Sequence, residues 1–557
     1  GRSGLTVRSH AAAFELSPTS LLRGRLEFTE IALDKPTIAV DPNAFVLSPQ
    51  DSARVGVERL IVTDGAIEVA GEKPVSVTHV DLTGAMDALL GPFRGSGVWR
   101  STTFQFATAA VEDGRLRGKI ALDEPPAGLH AEFDGDARFE GGALYFVGRG
   151  ASSGMGGGRT PPWRTTFDIA ATPDALRFDN LEARVGDDDH ALSFSGAARY
   201  AAGAPLDIKL KAANLDLDRF RASHDFATVS GWASSRALDL RVEADSATLG
   251  GETLSQPAVA LRLSPGAPAQ ALIDAGLPGA TRLHFDGAID RTDWRSFDGA
   301  ARIETRDVRR LADYVAPIAP EAIRRLAAAS FNRLAFDGRI KTAPDRFEAQ
   351  ARSLDLDRSR LSGRFAWRAA EADSRSRISA AIEASALDID GLPDLRALGG
   401  IGRDDDLDLS VDAKAVRIAE VGQSSAAAGR IGAHLLRKDG VTTLEELSIA
   451  DLGGATLTGV GRLTAQGGGL DLKLDAQRLG DLAALIRRVA PGAASDALVA
   501  RASALSPAKA TMGVATNAAG AFTQLNLESE AGGARYSAQL QPTGDGRVKA
   551  QLVANAP

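Results

Sequence analysis

Apolar residues alternate with polar ones over many short stretches of this chain, and the alternation is strict. Leu206, Ile208 and Leu210 are separated by Asp207 and Lys209. The same holds for Leu238/Leu240/Val242, Leu407/Leu409/Val411 and Leu470/Leu472/Leu474, spaced by Asp, Lys, Arg or Ser. A period of two puts one set of side chains on each face of a strand, so these stretches predict sheets with one apolar and one wet face. Turn residues fall between them: Asp64-Gly65, Asp113-Gly114 and Asp439-Gly440 predict hairpins, because Asp-Gly accepts the positive φ that tight turns require.

A repeat organises the strands. Its unit is a Leu-x(1–3)-Gly strand, a turn-rich stretch, a second strand, then an Asp-flanked hydrophobic anchor. The glycines are Gly196, Gly287, Gly363 and Gly459, and the anchors are Leu217, Val308, Ile389 and Leu479. Successive anchors are 91, 81 and 90 residues apart, and each glycine precedes its anchor by 21, 21, 26 or 20 residues. A constant motif with variable connections indicates a duplicated unit whose loops differ in length.

Helical periodicity follows two anchors. Val308, Leu311 and Val315 share a helical face up to Pro317, with a second helix expected from Pro320. In the fourth copy Leu479, Leu482, Ile486 and Val489 share a face before Pro491, and Ser495 is the expected N-cap of a helix carrying Leu498, Ala502 and Leu505. Helix pairs near 307–329 and 479–505 are therefore expected at repeat junctions. The opening section carries related strands: Leu21 to Asp41, broken at Asp34-Lys35-Pro36, and Val57 to Val69, expected as a hairpin turning at Asp64-Gly65.

These segments are similar to the AsmA-like family of periplasmic, bridge-like lipid transfer proteins. Leu21-Leu22-Arg23-Gly24, Lys35-Pro36 and Thr63-Asp64-Gly65-Ala66-Ile67 resemble its N-terminal signature, and the repeats from 192 to 482 resemble its C-terminal region. The resemblance covers roughly residues 20 to 545, its motifs are degenerate, and none is catalytic. It implies a mainly β protein whose repeat-built antiparallel sheet is elongated and curved into a taco-like groove. It also implies a periplasmic location, an inner-membrane anchor lost with a missing N-terminal helix, phospholipid or another acyl lipid as partner, possible contacts with envelope proteins, and a part in outer-membrane biogenesis. The domain reading is an N-terminal β region over 1–150, a Gly/Pro-rich connection at 151–164, and a β-repeat region over 165–557. The twelve strand residues named at the start are then the expected groove lining. The periodicity itself also fits a closed β-repeat scaffold or assembly factor, in which the same face is a sealed core.

Composition narrows the chemistry. Of 557 residues, 44% are hydrophobic and 24% charged, which is the balance of a folded chain, and the length calls for several domains or an extended array. A net charge of -8 without basic clustering does not suit nucleic acid. With no cysteine there is no disulfide, zinc thiolate or cysteine nucleophile. No uncharged apolar run is long enough for a membrane-spanning helix, and because residue 1 is Gly, a leader or anchor removed upstream is expected.

No cofactor, metal site or catalytic group is expected, and the chain is read as a non-enzyme. Asp187-Asp188-Asp189-His190 and Arg403-Asp404-Asp405-Asp406 lack calcium-loop spacing and are read as solvated turns. The histidines at 10, 79, 130, 190, 224, 284 and 434 form no His-x-x-x-His pair. Gly154-Met155-Gly156-Gly157-Gly158-Arg159 lacks the Lys-Ser/Thr ending of a phosphate loop, and the five tryptophans are too dispersed to make a stacking platform.

Overall fold

The computed structural model describes residues 4–555 other than 24, 42–54, 71–74, 86–90, 111–114, 126–127, 141–142, 157–160, 188–190, 224–236, 291–292, 294–295, 318–330, 371–374, 390–404, 418–428, 490, 518–521 and 543–547. The protein is mainly β and built from repeated strands, with 72% strand and 9% helix. It divides into two compact units, Gly1–Ala267 and Pro268–Pro557. The stretch at 151–164 lies inside the first unit. There the strand Ala143–Gly154 pairs antiparallel with Trp163–Ala171, so that Gly154 sits opposite Trp163.

Within the first unit the strands Leu26–Asp34 and Thr37–Val40 both run parallel to one long strand, Arg59–Val69. The expected hairpin at Asp64-Gly65 is therefore corrected. The chain runs straight on through Asp64, whose φ is +50°, and absorbs it as a bulge. A turn there would have separated two halves that must pair side by side with the segments flanking Lys35-Pro36. Lys35, itself at φ +45°, donates from its backbone N–H to the carbonyl of Thr63 at 2.9 Å, and Ala66 donates to that of Pro36 at 2.7 Å. Asp439-Gly440, by contrast, turns as expected, with φ of +50° and +79° between Lys438 and Val441. Asp113-Gly114 lies outside the described residues.

The repeat is visible as strand pairs. Each motif glycine lies opposite a residue of the next strand: Gly196 faces Leu210, Gly287 faces Gly299, Gly363 faces Ile382 and Gly459 faces Leu472. Each anchor then follows the end of that next strand. Val308, Ile389 and Leu479 are buried at 6%, 5% and 4% exposure, while Leu217 is half-buried between buried Leu215 and Phe220. The copies alternate in what comes after the anchor. After the first and third, the chain crosses over and pairs parallel, Leu206–Asp216 with Leu238–Leu249 and Arg377–Asp388 with Asp406–Arg417. After the second and fourth, it returns antiparallel, Phe297–Thr305 with Leu334–Ala343 and Gly467–Ala476 with Ala508–Asn517. The sheet is thus not wholly antiparallel, and the full period is two copies, as shown by Leu206 and Ile378, 172 residues apart, each near the start of a parallel pair and facing Leu238 and Leu407.

Helices follow both antiparallel-return anchors, and a shorter one, Leu217–Ser223, follows the first anchor before a parallel pair. Helix Val308–Val315 is capped by Asp307, whose carboxylate accepts from the Arg310 N–H at 3.1 Å. The second helix expected from Pro320 lies outside the described residues. In the fourth copy the pair is Gly480–Val489 and Ala493–Arg501. Ser495 does not cap: Gly492 is the N-cap, and the buried Ser495 hydroxyl donates to the Gly492 carbonyl at 2.9 Å from within the first turn. Val489 is also off the packed face, which is made by Leu482, Ala483 and Leu485. Among the described residues no helix is long and apolar enough to cross a membrane.

Candidate functional site

Cross-strand register converts the alternating pattern into surfaces. In the second unit one transverse row crosses the sixteen strands of the described residues without a polar residue. It runs Ile273, Phe285, Ala301, Gly338, Ala351 and Gly363, then Ile382, Val411, Ala433, Leu447, Gly459 and Leu472, and finally Met512, Leu527, Ala538 and Leu552. The neighbouring row is equally apolar and includes Phe365, Ala380, Leu409, Leu435, Leu444 and Leu470. Six of the expected lining residues, Leu407, Leu409, Val411, Leu470, Leu472 and Leu474, lie on this face. Leu407 is buried and the other five are half-buried.

The other six meet within the first unit. Leu206, Ile208 and Leu210 are the direct parallel partners of Leu238, Leu240 and Val242. Their face continues through Ala198 to Phe178 and Ile169. A second row of that unit reads Leu33, Val62, Leu82, Gly95, Phe106, Ile120, Phe133, Gly150 and Phe167.

The glycines in these rows have a packing reason that alternation does not register. Aromatic rings lie across glycines of adjacent strands: a Cβ on Gly95 would come within 2.9 Å of the Phe106 ring, and one on Gly97 within 2.8 Å of Phe104. Gly150 lies under Phe167 and Gly154 under Trp163. A ring laid flat over a glycine covers backbone that would otherwise be unshielded and keeps the apolar surface low. Phe167 is then free to meet Phe133 at 6.1 Å and Phe178 edge-on at 5.1 Å. An isolated Gly inside an alternating stretch was the available sequence signal.

Burial along the apolar face of the second unit is uneven. At the anchor ends of the strands it is sealed: Ala384, Ala413, Val416, Ile449, Leu452, Ala455 and Ala476 form one buried cluster with Leu479, Leu482, Ala483 and Leu485. The helix pair 480–501 thus packs on the apolar face at that edge. Towards mid-strand, Ile382, Val411, Leu447, Leu472, Met512 and Leu527 are only half-buried, and at the far end Leu463 is 39% exposed.

The opposite face is polar and internally paired. Arg302 and Arg352 both reach Asp337, at 3.0 and 3.1 Å, and Arg339 reaches Asp298 at 2.6 Å, which holds the Asp298 carboxyl below its ordinary range. Histidines pair with carboxylates in both units. His434 contacts Asp408 at 3.1 Å and Glu445 at 2.9 Å, His284 contacts Asp274 at 2.7 Å, and His79 contacts Asp64 at 2.9 Å. His130 lies between Asp123 at 2.7 Å and Glu132 at 3.1 Å; hydrogen bonds to those two carboxylates raise its pKa. Such exposed pairs contribute little stability each, but they fix which face is wet. Among the described residues no cluster of His, Asp or Glu is arranged to hold a metal ion. Asp188, Asp189, His190, His224 and Asp404 lie outside them. Asp405 accepts a hydrogen bond from Ser376, and Asp406 accepts one from the Asp439 N–H.

No protein-family model, curated protein or solved structure matches this chain.

Proposed function

We propose that this chain is a non-catalytic lipid-binding and lipid-transfer protein of the bacterial cell envelope, which holds acyl chains against the apolar face of its sheet as against the wall of a groove. The observation that carries the reading is the unbroken apolar row of the second unit, half-buried at Ile382, Val411, Leu447, Leu472, Met512 and Leu527 and backed by a polar face. Moving a two-chain lipid through water costs roughly 20 kcal/mol or more, at about 0.8 kcal/mol per CH₂. A wall that offers aliphatic contact at every strand lowers that barrier by exchanging one apolar neighbour for the next. Such a wall needs no polar recognition site along its length. The AsmA-like motifs support a periplasmic setting and a contribution to outer-membrane biogenesis.

The test is to purify the chain from a Gram-negative host without detergent and extract it for mass spectrometry. Near-stoichiometric phospholipid is the expected result. A stable, lipid-free protein would sink the carrier reading and favour a closed scaffold that assists outer-membrane protein assembly, for which the sealed cluster at the anchor ends is the supporting observation.

A further inference from the structure

The two ends of the strands in the second unit are chemically unlike. At the anchor ends, small and aliphatic side chains are sealed under helices. At the opposite ends three arginines stand in direct register on adjacent strands: Arg346 opposite Arg368, and Arg368 opposite Arg377. Cross-strand partners are about 5 Å apart at Cα, and like charges placed so are destabilising. All three are exposed. Arg377 is compensated by Asp408 at 3.6 Å. Arg346 and Arg368 have no ion-pair partner among the described residues, although Asp345 and Glu348 lie close in sequence. An arrangement that costs stability and leaves two guanidinium groups unpaired is one that an external anion would complete, by accepting paired N–H bonds.

What lies on the other side of the same strand ends narrows the anion. Phe347, Trp367, Ile378 and Leu407 follow one another in register as the last apolar row before the edge, with the Phe347 and Phe365 rings 6.0 Å apart. Arg437 then continues that row on the apolar side. Aromatic rings and long basic side chains meeting at one rim are the combination that places an apolar body beside a wet, charged boundary.

We propose that this rim is a headgroup site for a phosphate-bearing anionic lipid. Arg346 and Arg368 hold the phosphate at the strand ends while the acyl chains lie on the apolar face behind Phe347 and Trp367. This rests on the lipid-carrier reading and adds a lipid class and an orientation, with headgroups at the arginine rim and tails towards the anchors.

The test loads the full chain from vesicles of phosphatidylglycerol or of phosphatidylcholine and counts bound lipid. At about 1 kcal/mol for each basic residue near an anionic surface, the expected preference for phosphatidylglycerol is at least about tenfold. Arg346→Gln with Arg368→Gln should reduce it to under about threefold by the same arithmetic. Arg360→Gln, on the strand and face of Arg368 but at the anchor end, should leave it unchanged, and thermal melts check that both variants fold. Equal loading of the two lipids, unaltered by the double variant, would overturn the site and leave the carrier reading standing. Loading of neither lipid overturns both. Calorimetric binding of inorganic phosphate that depends on the two arginines, without any lipid preference, would assign the rim to a free anion and overturn the headgroup role.

Discussion

Val411 and Leu472, 61 residues apart in the chain, stand on one transverse row of the sheet, joined through Ala433, Leu447 and Gly459 by unbroken register pairs. Two stretches that each alternate by themselves thereby become parts of one surface. A charge placed anywhere on the row interrupts the whole of it.

Leu472→Asp with Leu474→Asp puts two carboxylates on the apolar face, where each must be desolvated if an acyl chain is to lie against it. Bound phospholipid should fall by about tenfold or more, since 1.4 kcal/mol already gives that factor. Asp471→Ala, on the wet face of the same strand, should leave loading unchanged. Equal loss in both variants would show that the face is not the binding surface.

Gly287 has no room for a side chain. A Cβ there would meet the Cα of Gly299 and the Asp298 carbonyl, both of them backbone that cannot swing away. Gly287→Val should cost about 1–3 kcal/mol, the usual penalty of overpacking, read as a lower melting temperature of the second unit. Gly432→Val, whose nearest neighbour would be Ser448 Cβ at 3.9 Å, should be neutral or slightly stabilising because valine suits a strand. A reversed order of the two would mean that strand spacing, not side-chain clearance, sets the tolerance.

Leu482, on the packed face of helix Gly480–Val489, is 1% exposed, whereas Leu463, at the other end of the strands, is 39% exposed. Leu482→Ala should cost about 2–5 kcal/mol and raise amide exchange in residues 480–501, as the helices lose their seat. Leu463→Ala should cost under about 1 kcal/mol. Unchanged exchange in the Leu482 variant would show that the helices do not depend on that contact.

Two side chains give pH dependence of opposite sign. The pKa of His130 is raised, first by its hydrogen bond to Asp123 and then by that to Glu132, so its contribution is fully present below about 6.5 and is lost as pH rises through the folded value. The Asp218 carboxyl is lowered by the N–H of Gly251 at 2.7 Å and that of Gly250 at 2.8 Å, so its contribution is present above the ordinary value of 3.8 and is lost as pH falls through the folded one. His130→Gln should flatten the first dependence and Asp218→Asn the second, measured as melting temperature against pH. NMR titration of His130 at or below 6.5 would refute the first assignment.

Much of this was legible in residue order because it is set locally. Period-two alternation assigned faces: within each unit, its six alternating residues share one face of the strands. The glycine-to-anchor spacing located the strand ends, where Val308, Ile389 and Leu479 are buried. Asp439-Gly440 turned where its φ preference required. Asp64-Gly65 has the same two residues and did not turn, because the neighbouring Leu26–Val40 segments hold the chain extended through the bulge.

What residue order could not decide is which strands become neighbours and in which direction. The alternation of parallel and antiparallel pairing after successive anchors is a property of pairs of strands, and no local preference encodes it. Placing the helix pair on the apolar face required the assembled anchor ends. The arginine row needed register, since Arg346, Arg368 and Arg377 are unremarkable along the chain and become adjacent only when three strands pair. Side-chain period belongs to a single strand and is written in its sequence; adjacency belongs to pairs of strands and is decided only by the tertiary structure.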